Sequence, residues 1–231
     1  MAKETEGIGE LSEEVILERI KYILRMARFI QDDKATVKFA SYLAELFKWN
    51  KKINLTSIVS LDELIEKQLL DSLIPLRLGS ELIQNYSVLL DIGSGGGFPA
   101  LPLKIAKGNN ISVHMVESRI KKVNFLKHIV RKLELNDINA WCGKFPLESH
   151  EENFSEHFDI VTTKAVKPDA SICNAICKVL KEQGQAIFYR LFEEDDYKMI
   201  KSCGLIVAEE ISYILPISRG KRTLTVIRRK S

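Results

Sequence analysis

Leu89-Leu90-Asp91-Ile92-Gly93-Ser94-Gly95-Gly96-Gly97-Phe98-Pro99 reads as an apolar strand running into a glycine loop, with a helix beginning near Pro99. Alternate glycines let a ligand approach the backbone closely. Gly95 to Ala100 also fits the loose G-x-G-x-x-A pattern of dinucleotide-binding folds, which is weak evidence by itself. The neighbouring acid discriminates. Asp91 ends the strand just before the first glycine, where its carboxylate would face a ligand lying over the loop. A pyrophosphate is repelled there, whereas the ammonium and sulfonium of S-adenosylmethionine are attracted. Val113 to Val116 then ends at Glu117, and an acid at the carboxyl end of a second strand commonly binds a ribose diol through charge-assisted hydrogen bonds. A dinucleotide enzyme uses that acid in the same way, so Glu117 does not decide alone. Asp91, Gly93, Gly95, Gly97 and Glu117 together favour an adenosylmethionine site over a nicotinamide site. A glycine run that only makes a tight turn remains the bland alternative.

Outward from this loop, short apolar runs alternate with amphipathic helices. Val88–Ile92, Ile111–Val116, Ile138–Trp141, Ile160–Thr163 and Gln185–Tyr189 read as strands, and Phe98–Lys107, Arg119–Leu135 and Asp169–Lys181 as helices. That alternation predicts a parallel sheet covered by helices on both faces. Leu205–Leu215 and Thr223–Arg229 read as two strands joined by a turn at Ser218–Lys221, which adds a terminal antiparallel strand. Upstream, Leu11 to Gly79 has apolar residues at helical spacing and no proline before Pro75. The expected organisation is an α/β, Rossmann-like domain over 81–231 with an N-terminal helical cap over 1–80.

The 231 residues are 45% apolar and 28% charged, as in ordinary globular proteins, and carry a net charge of only +3, from 34 basic and 31 acidic residues. No stretch is long and apolar enough to span a bilayer, and the acidic start from Met1 to Glu14 lacks the features of a signal peptide. A cytoplasmic monomer with no membrane contact is expected. The four cysteines form no C-x-x-C pair; Cys173 and Cys177 lie four apart with no histidine at ligand spacing, so no metal site is expected. The basic charge is uneven. Arg119 to Lys132 has six basic residues and no acid, and so has Ile217 to Ser231. Either could be a plain solvated face, but two patches flanking a ligand-binding edge fit a phosphate backbone. Lys121, Lys122, Arg219, Lys221 and Arg222 are the candidate RNA contacts.

The glycine loop, Asn54-Leu55-Thr56, Leu70-Asp71-Ser72-Leu73, Arg119 to Leu126 and the terminal Gly220-Lys221-Arg222 together resemble the bacterial glucose-inhibited division protein B family. The resemblance covers about Leu43 to Arg229. It implies a class I methyltransferase fold, S-adenosylmethionine as cofactor, and methylation of N7 of a guanine in small-subunit ribosomal RNA, free or in the assembled subunit. The chain departs from the family pattern at Gln68, Lys164 and Arg190. By position in that pattern, Lys144, Phe145 and Pro146 lie against the adenine, and Lys164 stands at the mouth of the pocket. Gly93, Ser94, Gly95 and Gly97 form the backbone cradle, Phe98 covers the ligand, Asp91 lies near the methionine end and Glu117 holds the ribose. Thr162-Thr163-Lys164-Ala165 replaces the Asp/Asn-Pro-Pro-aromatic motif of amine methyltransferases, and no cysteine occupies the loop that pyrimidine C5 enzymes require. Guanine N7 offers a lone pair with no proton to remove, so no catalytic residue is required; Lys164 is the one candidate. A small-molecule methyltransferase and a non-catalytic RNA-binding relative remain the alternatives.

Overall fold

The computed structural model describes residues 12–29, 31–58, 60–79, 81–146 and 157–230. Most of the acidic start, Met1 to Leu11, lies outside them. Seven strands form one sheet in the order β3-β2-β1-β4-β5-β7-β6. They are β1 (Ser87–Ile92), β2 (Ile111–Glu117), β3 (Ile138–Cys142), β4 (Phe158–Thr163), β5 (Leu180–Phe188), β6 (Leu205–Ile214) and β7 (Lys221–Arg229). The first five pair in parallel, and β7 lies antiparallel between β5 and β6. The order reverses between β1 and β4, and ligands bind beyond the carboxyl ends of the strands at such a crevice.

Three helices follow their strands as the periodicity predicts: α5 (Ala100–Lys107), α6 (Ile120–Lys132) and α7 (Ala170–Val179), the last capped by Asp169, whose carboxylate accepts the N–H of Ile172 at 2.8 Å. The expected helix to Lys181 stops earlier because β5 already begins at Leu180 and bulges before rejoining β4 at Gln185. Another helix, α8 (Glu194–Ser202), grows from the acidic run Glu193–Asp196. Glu193 and Asp196 form a reciprocal capping box at its start, and Glu194 and Asp195 lie 3.1 and 3.6 Å from Lys198 Nζ.

The cap consists of α1 (Glu13–Met26), α2 (Asp33–Ile53), α3 (Leu61–Leu64), a π turn (Ile65–Leu70) and α4 (Asp71–Leu78), which carries Pro75. Asn54 ends α2 in the left-handed conformation at φ 50°, a C-cap role asparagine accepts readily. Asn50 then holds the next turn by accepting the N–H of Thr56 at 2.8 Å. Ile16, Ile20 and Phe39 from the cap share one apolar cluster with Leu101, Val113 and Phe125 from the sheet layer. No helix among the described residues is long and apolar enough to cross a membrane.

Phe125 on α6 is fully buried, with its ring 6.4 Å from Tyr42 and 5.6 Å from Trp49, both on α2. Phe125→Ala is expected to lower the unfolding free energy by about 3–5 kcal/mol in guanidinium titrations, and a loss below about 1 kcal/mol would mean that cap and sheet do not share a core.

Candidate functional site

The loop after β1 takes positive φ at Gly93 (71°), Gly95 (55°) and Gly97 (100°). These glycines serve different ends. A Cβ on Gly93 would lie 2.6 Å from Val166 Cγ2, and one on Gly97 would lie 2.4 Å from Leu101 Cδ1. Both are excluded by packing beneath the loop. A Cβ on Gly95 meets only Gly93 O at 3.8 Å and Lys122 Nζ at 4.0 Å, so this glycine alone keeps an open face towards a ligand. From below, the Tyr42 hydroxyl donates to the carbonyl of Gly96, where an added Cβ would lie 3.3 Å from Leu46 Cδ1 and 3.7 Å from the Leu55 carbonyl oxygen. The Asn-Leu-Thr segment therefore supports the loop. Burial, and then the charge of Asp91, push the Tyr42 phenol well above its usual range, so it stays a donor.

Glu117, at the end of β2, reaches the loop directly. Its Oε2 accepts the Gly95 N–H at 2.9 Å, and its Oε1 accepts the N–H of Arg119 at 2.8 Å and the hydroxyl of Ser118 at 3.3 Å. The carboxylate thus joins the loop to the start of α6. Sequence reasoning gave it only a ribose.

Asp91 departs from its expected presentation. The carboxyl has no exposed surface; Oδ1 accepts the hydroxyl of Thr162 at 2.7 Å, while Oδ2 is buried with no partner among the described residues. Burial pushes this carboxyl up to about 7, against the opposing influence of Ser94, Thr162 and Lys164. It forms the floor under the loop, because the strand end is enclosed by Thr162 and by the loop itself. The Ser94 hydroxyl donates to the main-chain oxygen of Asp91, which turns it inwards. Thr163 Oγ1 is a second buried oxygen without a partner among the described residues.

Both aromatic candidates are buried. Phe98 lies in the core shared with the cap, its ring 5.3 Å from Tyr42. Phe145 is likewise buried in the apolar cluster with Val116 and Phe158, leaving exposed Lys144 and half-buried Pro146 at the surface. Lys164 is no free cation at a pocket mouth. Its Nζ is 2.8 Å from Asp71 Oδ2, donates to the carbonyl of Lys67 at 2.8 Å and lies 5.7 Å from the centre of the Tyr189 ring. Burial lowers its pKa and Asp71 opposes that shift.

Sequence reasoning missed the residues around it. Asp71 also accepts the hydroxyl of Tyr213, and the Tyr189 hydroxyl donates to the carbonyl of Ser72 at 3.0 Å. Burial followed by the charge of Asp71 raises both phenols far above their usual range, so both remain protonated. Asp71-Ser72-Leu73 was legible as a motif, but its partners lie over 90 positions away.

The basic patches reach this end of the sheet from two sides. Lys122 overhangs Gly95 from α6, with Lys121 exposed beside it. Arg219, Lys221 and Arg222 are exposed on the β6–β7 turn, and the charge of Arg222 is felt by Lys164 and Tyr213. Among the described residues, no three His, Cys, Asp or Glu side chains are grouped so as to hold a metal.

Residues 35–223 match the profile of the family described as rRNA small subunit methyltransferase G. A relative from Lachnoclostridium phytofermentans, named ribosomal RNA small subunit methyltransferase G, is 34% identical over 83% of this chain and 80% of its own. A relative of the same name from Streptococcus pneumoniae serotype 19F is 32% identical over 86% and 84%. In fold, the chain is similar to a SAM-dependent methyltransferase from Aquifex aeolicus, with a TM-score of 0.52 and 14% identity over 68% of this chain and 91% of the other. The extent of these matches, over both the cap and the sheet that build the site, establishes that the chain belongs to the rRNA small subunit methyltransferase G family.

Proposed function

We propose that this protein transfers a methyl group from S-adenosylmethionine to N7 of a guanine in small-subunit ribosomal RNA. The observation that carries the reading is the open face of Gly95 with Glu117 on its N–H, set between two basic patches in a chain of this family. The residues present fit the cofactor. Asp91 Oδ2 and Thr163 Oγ1 are buried oxygens without partners among the described residues, and a cation close above the loop suits a buried acid there. When bound, the cofactor supplies an electrophilic methyl carbon on a sulfonium.

In this reading Glu117 has lone pairs left for a ribose diol, Gly95 leaves room over the backbone, and exposed Lys144 and Pro146 border the adenine end. The chain's part in the transfer is alignment. Guanine N7 needs no deprotonation, so acceptor and methyl carbon held in line can react without a general base. Tyr189 and Tyr213 remain protonated, consistent with a site that moves no proton. Lys164, held by Asp71, shapes the wall between cofactor and RNA. Residues 1–80 act as the cap and 81–231 as the catalytic domain of a cytoplasmic monomer.

Calorimetry is expected to show binding of S-adenosylmethionine and not of NAD; the reverse would overturn the cofactor assignment. Glu117→Ala is expected to weaken cofactor binding about tenfold or more, the loss of charge-assisted bonds worth about 1.5–3 kcal/mol. Transfer of tritium from labelled cofactor to RNA separates an enzyme from a binding protein.

The pH dependence has a definite sign. Asp91 is mostly neutral below about 7 and ionised above it. A cationic ligand favours the ionised form. Cofactor affinity is therefore expected to rise as the pH climbs through about 7 and to flatten above it, and Asp91→Asn to bind more weakly at pH 8 with that rise absent. The same pH profile in parent and variant would exclude the carboxyl as the titrating group.

Replacing Lys121 and Arg222 together by alanine is expected to weaken RNA binding and leave cofactor affinity unchanged. Loss of two phosphate contacts lowers the slope of log affinity against log salt by roughly 1.4–1.8. An unchanged slope with both rRNA fragments and assembled subunits would make the patches ordinary solvated faces.

A further inference from the structure

Glu66 lies in the π turn of the cap and is buried, with 2% of its surface exposed. Its partners are two backbone N–H groups about 150 positions away: Oε1 accepts from Ile217 at 2.5 Å and Ser218 at 3.0 Å, and Oε2 lies 3.2 Å from the same Ser218 nitrogen. A carboxylate taken out of water is costly unless its oxygens are satisfied. Here they are satisfied only while the β6–β7 turn occupies one position. The turn closes on itself as well, through Leu215 N–H to the Gly220 carbonyl at 3.1 Å. Its outward side chains are Arg219, Lys221 and Arg222, all exposed.

From this geometry we infer that Glu66 is a positioning residue for RNA: it fixes the basic turn over the mouth of the site before substrate arrives. The inference rests on the reading that this turn contacts RNA phosphates. Its hydrogen bonds order the backbone in advance, so binding does not bear the entropy of ordering the turn. Asp71 anchors the adjacent strand through Tyr213, so the π turn and the start of α4 hold the hairpin at two levels.

Glu66→Gln keeps the shape and removes the charge. Ile217→Pro removes one donor from the opposite side without touching the cap, and serves if the first variant folds poorly. Each is measured for methyl transfer to assembled small subunits, alone and in a background with Arg219, Lys221 and Arg222 replaced by alanine. The expected result is a KM for subunits raised about tenfold and a shallower salt dependence, with kcat and cofactor affinity unchanged and no further effect in the alanine background. A role in stability alone would lower the unfolding midpoint and leave KM and the salt slope unmoved, which would overturn the inference. Additive effects in the alanine background would also overturn it. Parent-like KM in the triple-alanine protein itself would instead remove the reading of the turn as an RNA contact, and the inference with it.

Discussion

At Gly93 and Gly97 the inner face of the loop after β1 has no room for a side chain. Val166, Leu101 and the Tyr42 hydroxyl fill the space that Cβ atoms on Gly93 and Gly97 would need. Bare backbone lets the cap approach until Tyr42 meets the carbonyl of Gly96 and Leu55 lies beneath it. Cap and sheet then close over one apolar cluster that neither could cover alone. The left-handed end of α2 at Asn54, which turns the chain back under the loop, belongs to the same constraint.

Charge is graded across the site. At the floor, Asp91 is buried with a carboxyl near neutrality; in the wall, Lys164 is buried and paired with Asp71; at the rim, Lys121, Arg219, Lys221 and Arg222 are exposed. Interior groups without water need partners or lose their charge, while rim cations keep theirs at little cost. A polyanion is attracted to the rim, where Lys121, Arg219, Lys221 and Arg222 are exposed. Beneath the loop, Asp91 Oδ2 and Thr163 Oγ1 are buried without partners among the described residues.

The parts of this arrangement that depend on local spacing were legible in the sequence. The apolar runs of β1 to β4, the glycine loop and the acid after Val116 all follow from residues within a few positions of one another. The inward turn of Phe98 was not legible, since it depends on Tyr42 lying 5.3 Å away from a different helix. The contact of Glu66 with Ile217 and Ser218, about 150 positions on, exists only in the folded chain. The pairing of Lys164 with Asp71 was not legible, because Asp71 precedes it by almost a hundred positions. The segment 147–156, which follows the predicted adenine-side residues, lies outside the described residues.

The seventh strand in chain order is an interior strand. β7 pairs with both β5 and β6, and its Arg228 stands opposite Gln185, 43 positions earlier. While such a chain is made residue by residue, β5 and β6 must wait with open hydrogen-bonding edges until the segment that joins them emerges. Open edges are where chains stick to one another. Vectorial synthesis therefore leaves this fold most exposed to aggregation late, and any premature stop before Lys221 strands a sheet with two unfinished borders.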